Sequence, residues 1–468
     1  MDSAKLIFIG FSTILFIVIP LFIKNVRQYF IALASSMYVF PTGWIFYHQN
    51  GLWLADLPIL GLLIVSFFSH RKISWIVKPV GWPLLAFIVW GVVCSFGAPK
   101  QGWAISELTI YARVYLLMVV LYHNIQSFKD LKIVVFSMLG ALLFQVLLGL
   151  YQWRFGALGL WFLGERPSAI LKWRTRGTFF HPSHYANYLA MVLPVAYRLF
   201  LFFKTPDRRQ VLLFGSTFFL GLVAFYSTYG RAPWIGFGFA AVMLTLIGLV
   251  NTKYKTRITW AFPVLLFFLL IFAERYGGSV IGQFSQRMAS YEVRFEQFRN
   301  ARRLIAANPV LGVGLGNYEK GLSRFLRELD EVKNVNMEDI TVHNSYYLIA
   351  SEQGIPGAIL FVMWFITMFY TGFMILRSEI YHPFIINVTL GILGGIAAIL
   401  IVFTFSPDIH VYHIQYQLGL FAVILIASRD ITRRAIDQKN QRVKGMKVMA
   451  SQSYIGPIRR PGHKEELH

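Results

Sequence analysis

Long uncharged apolar runs alternate with short polar connections along most of this chain. Leu6–Ile23, Leu84–Ala98 and Ala261–Ala273 are the clearest runs. A bilayer-crossing helix needs about 20 predominantly apolar residues, and on that measure the pattern predicts about thirteen spans. They centre on residues 6–23, 29–47, 52–69, 80–97, 106–122, 131–153, 184–203, 211–228, 233–250, 257–273, 356–376, 383–404 and 411–427. The first run has no small-residue cleavage site and reads as a true span, not a signal peptide. The expected fold is an all-α polytopic membrane protein with about 12–13 transmembrane helices.

One polar stretch is too long to be a mere connection, the loop Glu274–Val342. Within it, Tyr291, Phe295, Phe298, Arg302 and Ile305 recur at three- or four-residue spacing, which predicts a helix over Ser290–Ala307. Pro309 closes that helix. Gly312-Val313-Gly314-Leu315-Gly316 reads as a flexible turn, and no strand precedes it as a dinucleotide site requires. Leu322–Val332 reads as a second helix with a solvated, mixed-charge face. The chain thus divides into transmembrane helices over 1–273, an outer loop over 274–342, a histidine motif with the remaining spans over 343–427, and a basic, solvated, partly disordered tail over 428–468.

Composition supports this division. Hydrophobic residues make up 56% of the chain and charged residues 14%, more apolar surface than a soluble protein can hide. Lys and Arg total 44 against 22 Asp and Glu, a net charge of +22. A positive-inside bias together with an anionic ligand explains that excess better than nucleic-acid binding does. Lys24–Arg27, His70–Lys78, Lys204–Arg209, Lys253–Arg257 and the tail after Ser428 fall on one side if the spans alternate, and are expected to be cytoplasmic, near anionic membrane lipids. Arg154–Pro182, Tyr229–Pro233 and Glu274–Val342 then share the other side. The single cysteine, Cys94, excludes an intrachain disulfide.

Basic residues on the outer side run against the topological trend, so they are ligand candidates: Arg176, Arg231 and Arg294. His343 lies at the end of the long loop, ahead of a short apolar helix that stops at Gly354-Ile355-Pro356-Gly357. Asp408, His410 and His413, between the last two spans, face the same side and are candidate acceptor-site groups or plain interfacial residues. His181 and His184 tempt a metal reading, but no third ligand stands at suitable spacing, so the start of a helix is preferred and no metal site is expected. Glu107 and Glu352, near span ends, are suspects as buried partners for arginine, with a simple pairing to a loop base the other reading for Glu352.

Several of these segments resemble the O-antigen ligase/O-antigen polymerase-like (Wzy-type) family of membrane glycosyltransferases. They are Arg294 with Asn308-Pro309-Val310-Leu311-Gly312-Val313-Gly314-Leu315-Gly316-Asn317-Tyr318; His343-Asn344 followed by Gly354-Ile355-Pro356-Gly357; Ser227–Trp234; and Arg176-Gly177-Thr178-Phe179 with His181-Pro182 and Ala186. Two departures stand out: Gly230 where the family often has serine, and Phe298 where it usually has tryptophan. The resemblance implies a GT-C-like fold with a periplasmic loop, in a bacterial inner membrane. It implies inverting transfer of a glycan from an undecaprenyl-diphosphate carrier to an acceptor hydroxyl, without metal or cofactor. His343 would be the general base, and Arg231, Arg294 and Arg176 would clamp the diphosphate. The acceptor is lipid A-core, another lipid-linked repeat or a protein hydroxyl, with ligation narrowly favoured. A transporter or a scaffold is the competing reading; the first lacks the paired broken spans it would need, and the second leaves the outer arginines unexplained.

Overall fold

The structure, a computed structural model, describes residues 12–40, 55–70, 72–156, 174–203, 207–249, 284–328, 341–378 and 382–453. Every regular element among them is helical. After a short helical stretch, Ile14–Phe22, come α1 (Val26–Ala34), α2 (Asp56–Phe68), α3 (Gly81–Ser95), α4 (Gln101–Asn124), α5 (Phe128–Phe155), α6 (Pro182–Phe202), α7 (Arg208–Tyr226) and α8 (Arg231–Leu249). The long loop contributes α9 (Phe284–Ala307) and α10 (Tyr318–Glu328); α11 (Ser345–Leu376), α12 (Pro383–Val402) and α13 (Tyr412–Ser453) complete the bundle.

Eight of these are long and apolar enough to cross a membrane: α4 to α8 and α11 to α13. They coincide with eight of the thirteen expected spans, so the chain is an all-α, multi-pass membrane protein. The expected spans at 52–69 and 80–97 are the shorter helices α2 and α3; at 1.5 Å per residue they extend only about 20 Å. The expected span at 257–273 lies outside the described residues.

Local chemistry fixes the helix ends. Ser127 and Asp130 form a reciprocal capping box at α5, Pro182 opens α6 at a position where its missing N–H costs nothing, and Asp207 caps α7. At the centre stand α6 and α13, whose spanning segments are 94% and 83% buried inside the protein. α12 packs against α6 because Gly391 and Gly395 present no side chain: a β-carbon there would lie 2.5 Å from the Val195 Cα and 2.0 Å from the Met191 carbonyl oxygen.

The two ends of the bundle differ. At one, Arg27 pairs with the buried Asp130 at 3.0 Å, Arg429 reaches the Lys78 carbonyl, Arg434 reaches that of Gln126, and Phe203 packs on Phe384. The described basic connections therefore lie together; Lys253–Arg257 falls outside the described residues. α13 continues through Ser453 as helix, where a partly disordered tail was expected. The sequence from Asp430 to Lys444 holds no glycine or proline and is rich in good helix formers, so the helix propagates past its apolar part.

Candidate active site at the loop end of the bundle

The opposite end collects the segments after α5, α7 and α12 with those before α11 and around α9 and α10. The short helix that follows His343 organises them. Asn344 caps it, its Oδ1 accepting from the backbone N–H groups of Tyr346 and Tyr347 at 2.9 and 3.0 Å. Ser345 N–H donates to the Phe403 carbonyl and its hydroxyl to that of Ser406. The helix breaks at Gly354, whose φ of 66° and ψ of −174° are non-helical. A broken helix leaves its last carbonyls without partners. Here they find them from afar: Val313 N–H donates to Ser351 O, Gly314 N–H to Glu352 O, and the Trp90 indole to Gln353 O, all at 2.8–2.9 Å. Ile355 N–H in turn donates to Pro309 O.

The Asn308–Asn317 segment is therefore the cap of the histidine helix. Gly312, Gly314 and Gly316 all take positive φ, and the segment packs into the bundle rather than forming the flexible turn expected. α10 is corrected likewise. Tyr318, Leu322 and Leu326 are buried at one-turn spacing, and only the Arg324–Glu328 face is solvated. On α9 the buried stripe is Gln297, Ala301 and Leu304, whereas Phe295 is exposed. Phe298 stacks on Tyr347 with ring centroids 5.5 Å apart, so the phenylalanine keeps an aromatic contact to the histidine helix. Arg294 lies one turn before Phe298 and His343 one turn before Tyr347, which brings that cation and imidazole together.

His343 is half-buried. Burial pushes its imidazole below the usual histidine range, the Arg294 charge pushes the same way, and Asp408 opposes both. A neutral ring at neutral pH can accept a proton. Asp408 lies in the turn after α12, where it accepts a hydrogen bond from Asn187 Nδ2 at 2.5 Å, and His184 Nε2 stands 3.7 Å away, beyond hydrogen-bond range. His181 caps α6 by accepting from Ser183 N–H; burial and then the neighbouring His184 lower its affinity for a proton. That pair starts a helix, as preferred from the sequence.

The arginines are arranged around this core. Arg294 and Arg231 are exposed, and Arg176 is buried, donating to the Phe180 carbonyl with its N–H on Gln152. The Arg174–Arg176 segment is pinned to the turn before α8: Thr175 N–H donates to Ser227 O, the two hydroxyls lie 2.6 Å apart, and Arg174 Nε donates to Thr228 O. This sets Arg176 beside the turn that carries Arg231. No described contact joins Arg231 to His343. Gly230 has a steric reason to depart from serine, since a β-carbon there would stand 2.8 Å from the Ala186 Cβ.

His410 is held between two carboxylates, its Nε2 2.9 Å from Glu352 and its Nδ1 3.2 Å from Glu107. Glu352 thus pairs with a loop base, one of the two readings open for it, and Glu107 meets the same histidine in place of the expected arginine. Burial alone would lower the His410 pKa, but Glu352 and Glu107 carry it well above the usual range. Reading the sequence overlooked Arg174 and Asn187, which carry no motif.

With this geometry in view, the comparison with protein families can be read: residues 216–362 match the model of the O-antigen ligase family, Wzy_C. That segment, about a third of the chain, is similar to an O-antigen ligase domain. The match takes in Arg231, Arg294, the glycine segment, His343 and the Gly354 break. No curated protein matches the chain. The match supports, at the level of the family, O-antigen ligase-type glycan transfer between a glycan donor and an acceptor. Arg176, Asp408 and His410 lie outside the matched segment, yet they lie at the same end of the bundle as His343.

Proposed function

We propose that the protein ligates a glycan from an undecaprenyl-diphosphate carrier onto a hydroxyl of lipid A-core, at the periplasmic face of the inner membrane. The observation that carries this reading is His343: half-buried in the family-matched segment and driven toward its neutral form by burial and by the Arg294 charge, with Asp408 opposing both.

The acceptor hydroxyl gives its proton to the His343 ring as its oxygen bonds the anomeric carbon. The bond from that carbon to the diphosphate oxygen breaks on the opposite face, so configuration inverts. Undecaprenyl diphosphate leaves with the electron pair, and Arg294, Arg231 and Arg176 stabilise the charge it gains; guanidinium suits phosphate because its planar fork donates two parallel hydrogen bonds and stays charged. Asp408 stabilises the imidazolium that forms.

The test is complementation of a deletion strain followed by envelope glycan analysis. His343→Ala should lower transfer by about 100-fold or more, the scale of a lost general base, with unchanged protein level. Bare core with full-length lipid-linked chains accumulating supports ligation. Single repeats on core would indicate polymerisation instead, and retained anomeric configuration would rule out direct attack.

A further inference from the structure

We propose that the Glu107–His410–Glu352 triad is a positioning device: charged His410 straps both ends of the His343 helix to one turn, and so sets the base against Asp408. This rests on the proposed role of His343.

The strap is visible in the connections. The turn Phe403–His410 binds the N-terminal end of the short helix through Phe403 and Ser406 to Ser345, and through Thr404 to the Asn344 amide. The same turn binds the C-terminal end through His410 and Glu352. His410 is two residues beyond Asp408, and His343 immediately precedes the helix cap, so both partners of the proposed base pair hang on this one strap. Glu107 comes from a third element, α4, and closes the other side. Glu352 is additionally fixed by Tyr318 N–H at 3.4 Å.

The charge on His410 decides whether the strap holds. Facing it are Glu107 on α4 and Glu352 on α11, with Tyr111 on α4 and Tyr318 on α10 beside those carboxylates; Asp408 shares its turn. Burial, then Glu352, keeps the Tyr318 phenol protonated. With His410 charged, the cation bridges two carboxylates. With it neutral, the buried Glu352 and the partly exposed Glu107 face each other across an uncharged ring, and the buried carboxylate loses the cation that offsets its burial. Raising pH through the His410 value therefore loosens the strap and displaces His343 from Asp408.

The test is the pH profile of transfer by the purified full-length protein, with a lipid-linked glycan donor and a lipid A-core acceptor. The wild type should show an acid limb from His343 and an alkaline limb from His410. Glu107→Gln removes one carboxylate, so the alkaline limb should move to lower pH by about one unit or more while the acid limb stays. His410→Gln should abolish the alkaline limb and lower the plateau. Thermal unfolding in detergent gives a second reading that needs no turnover. A group whose proton affinity is raised by folding adds stability that is full below its unfolded value and lost as pH rises through its folded value. That alkaline loss should vanish in His410→Gln. Equal rate losses at every pH, with the alkaline limb in place, would overturn the proposal. If His343→Ala leaves transfer intact, the catalytic reading itself fails. If His343→Ala abolishes transfer while Glu107→Gln leaves the limb unmoved, only the strap fails.

Discussion

Replacing Gly354 with alanine probes the joint on which the histidine helix depends. Its φ of 66° with ψ of −174° belongs to a region that only glycine occupies readily, and a side chain held there costs about 1–3 kcal/mol. Steric cost adds to this. A β-carbon at residue 354 would stand 2.1 Å from the Val310 carbonyl oxygen, 2.5 Å from its carbon and 2.8 Å from the Pro309 oxygen. These are backbone atoms with no rotamer to change, so the Pro309–Val310 segment has to move away. That movement breaks the Ile355 N–H to Pro309 O bond, worth about 1 kcal/mol. The expected destabilisation is about 2–4 kcal/mol in all. Thermal unfolding of the purified protein in detergent, followed by tryptophan fluorescence, measures it, with transfer activity assayed in parallel. Gly140→Ala is the control, since a β-carbon there meets nothing within 4 Å and the residue lies inside α5. Alanine at a helix interior favours the helix by up to about 1 kcal/mol over glycine, so this variant should unfold no earlier than wild type. Gly354→Ala melting with the wild type, at full activity, would refute the reasoning.

Two further predictions concern the same end of the molecule. Because burial and Arg294 hold His343 below its ordinary value of 6.5, single-turnover transfer should fall as pH drops through a value below 6.5; Arg294→Gln removes one lowering influence and should move that limb upward, and a limb that stays or falls contradicts the electrostatic reading. Gly230→Ser should destabilise by about 1–3 kcal/mol through overpacking against Ala186, and the double variant with Ala186→Gly should recover much of it; thermal unfolding of the three proteins decides.

The apolar runs were legible as spans because lipid permits few alternatives to a helix, and eight of them have spanning length. The stop at Gly354 was legible as well, since Gly-Ile-Pro-Gly cannot continue an ordinary helix. What fills the break was not. The cap comes from backbone N–H groups of Val313 and Gly314, some forty residues upstream, and backbone donors leave no trace in a side-chain pattern. For that reason an ordered glycine segment read as flexible. Tyr318, Leu322 and Leu326 do recur at helical spacing, yet their many charged neighbours masked a buried face. The partner of Glu352 was left open between an arginine and a loop base, and it is the loop base His410; the sequence could not choose because the pairing brings together residues 58 positions apart.

The burial of α13 has a consequence for biogenesis. Spans enter the membrane in the order of synthesis, and α13 follows every other described helix, yet it stands at the bundle's centre with α6. The earlier helices must therefore reach the bilayer before the post around which they close. The α12–α13 turn also delivers Asp408 and His410, so a nascent chain has the His343 helix before it has the two side chains proposed to work with it, and the proposed site closes only when α13 docks.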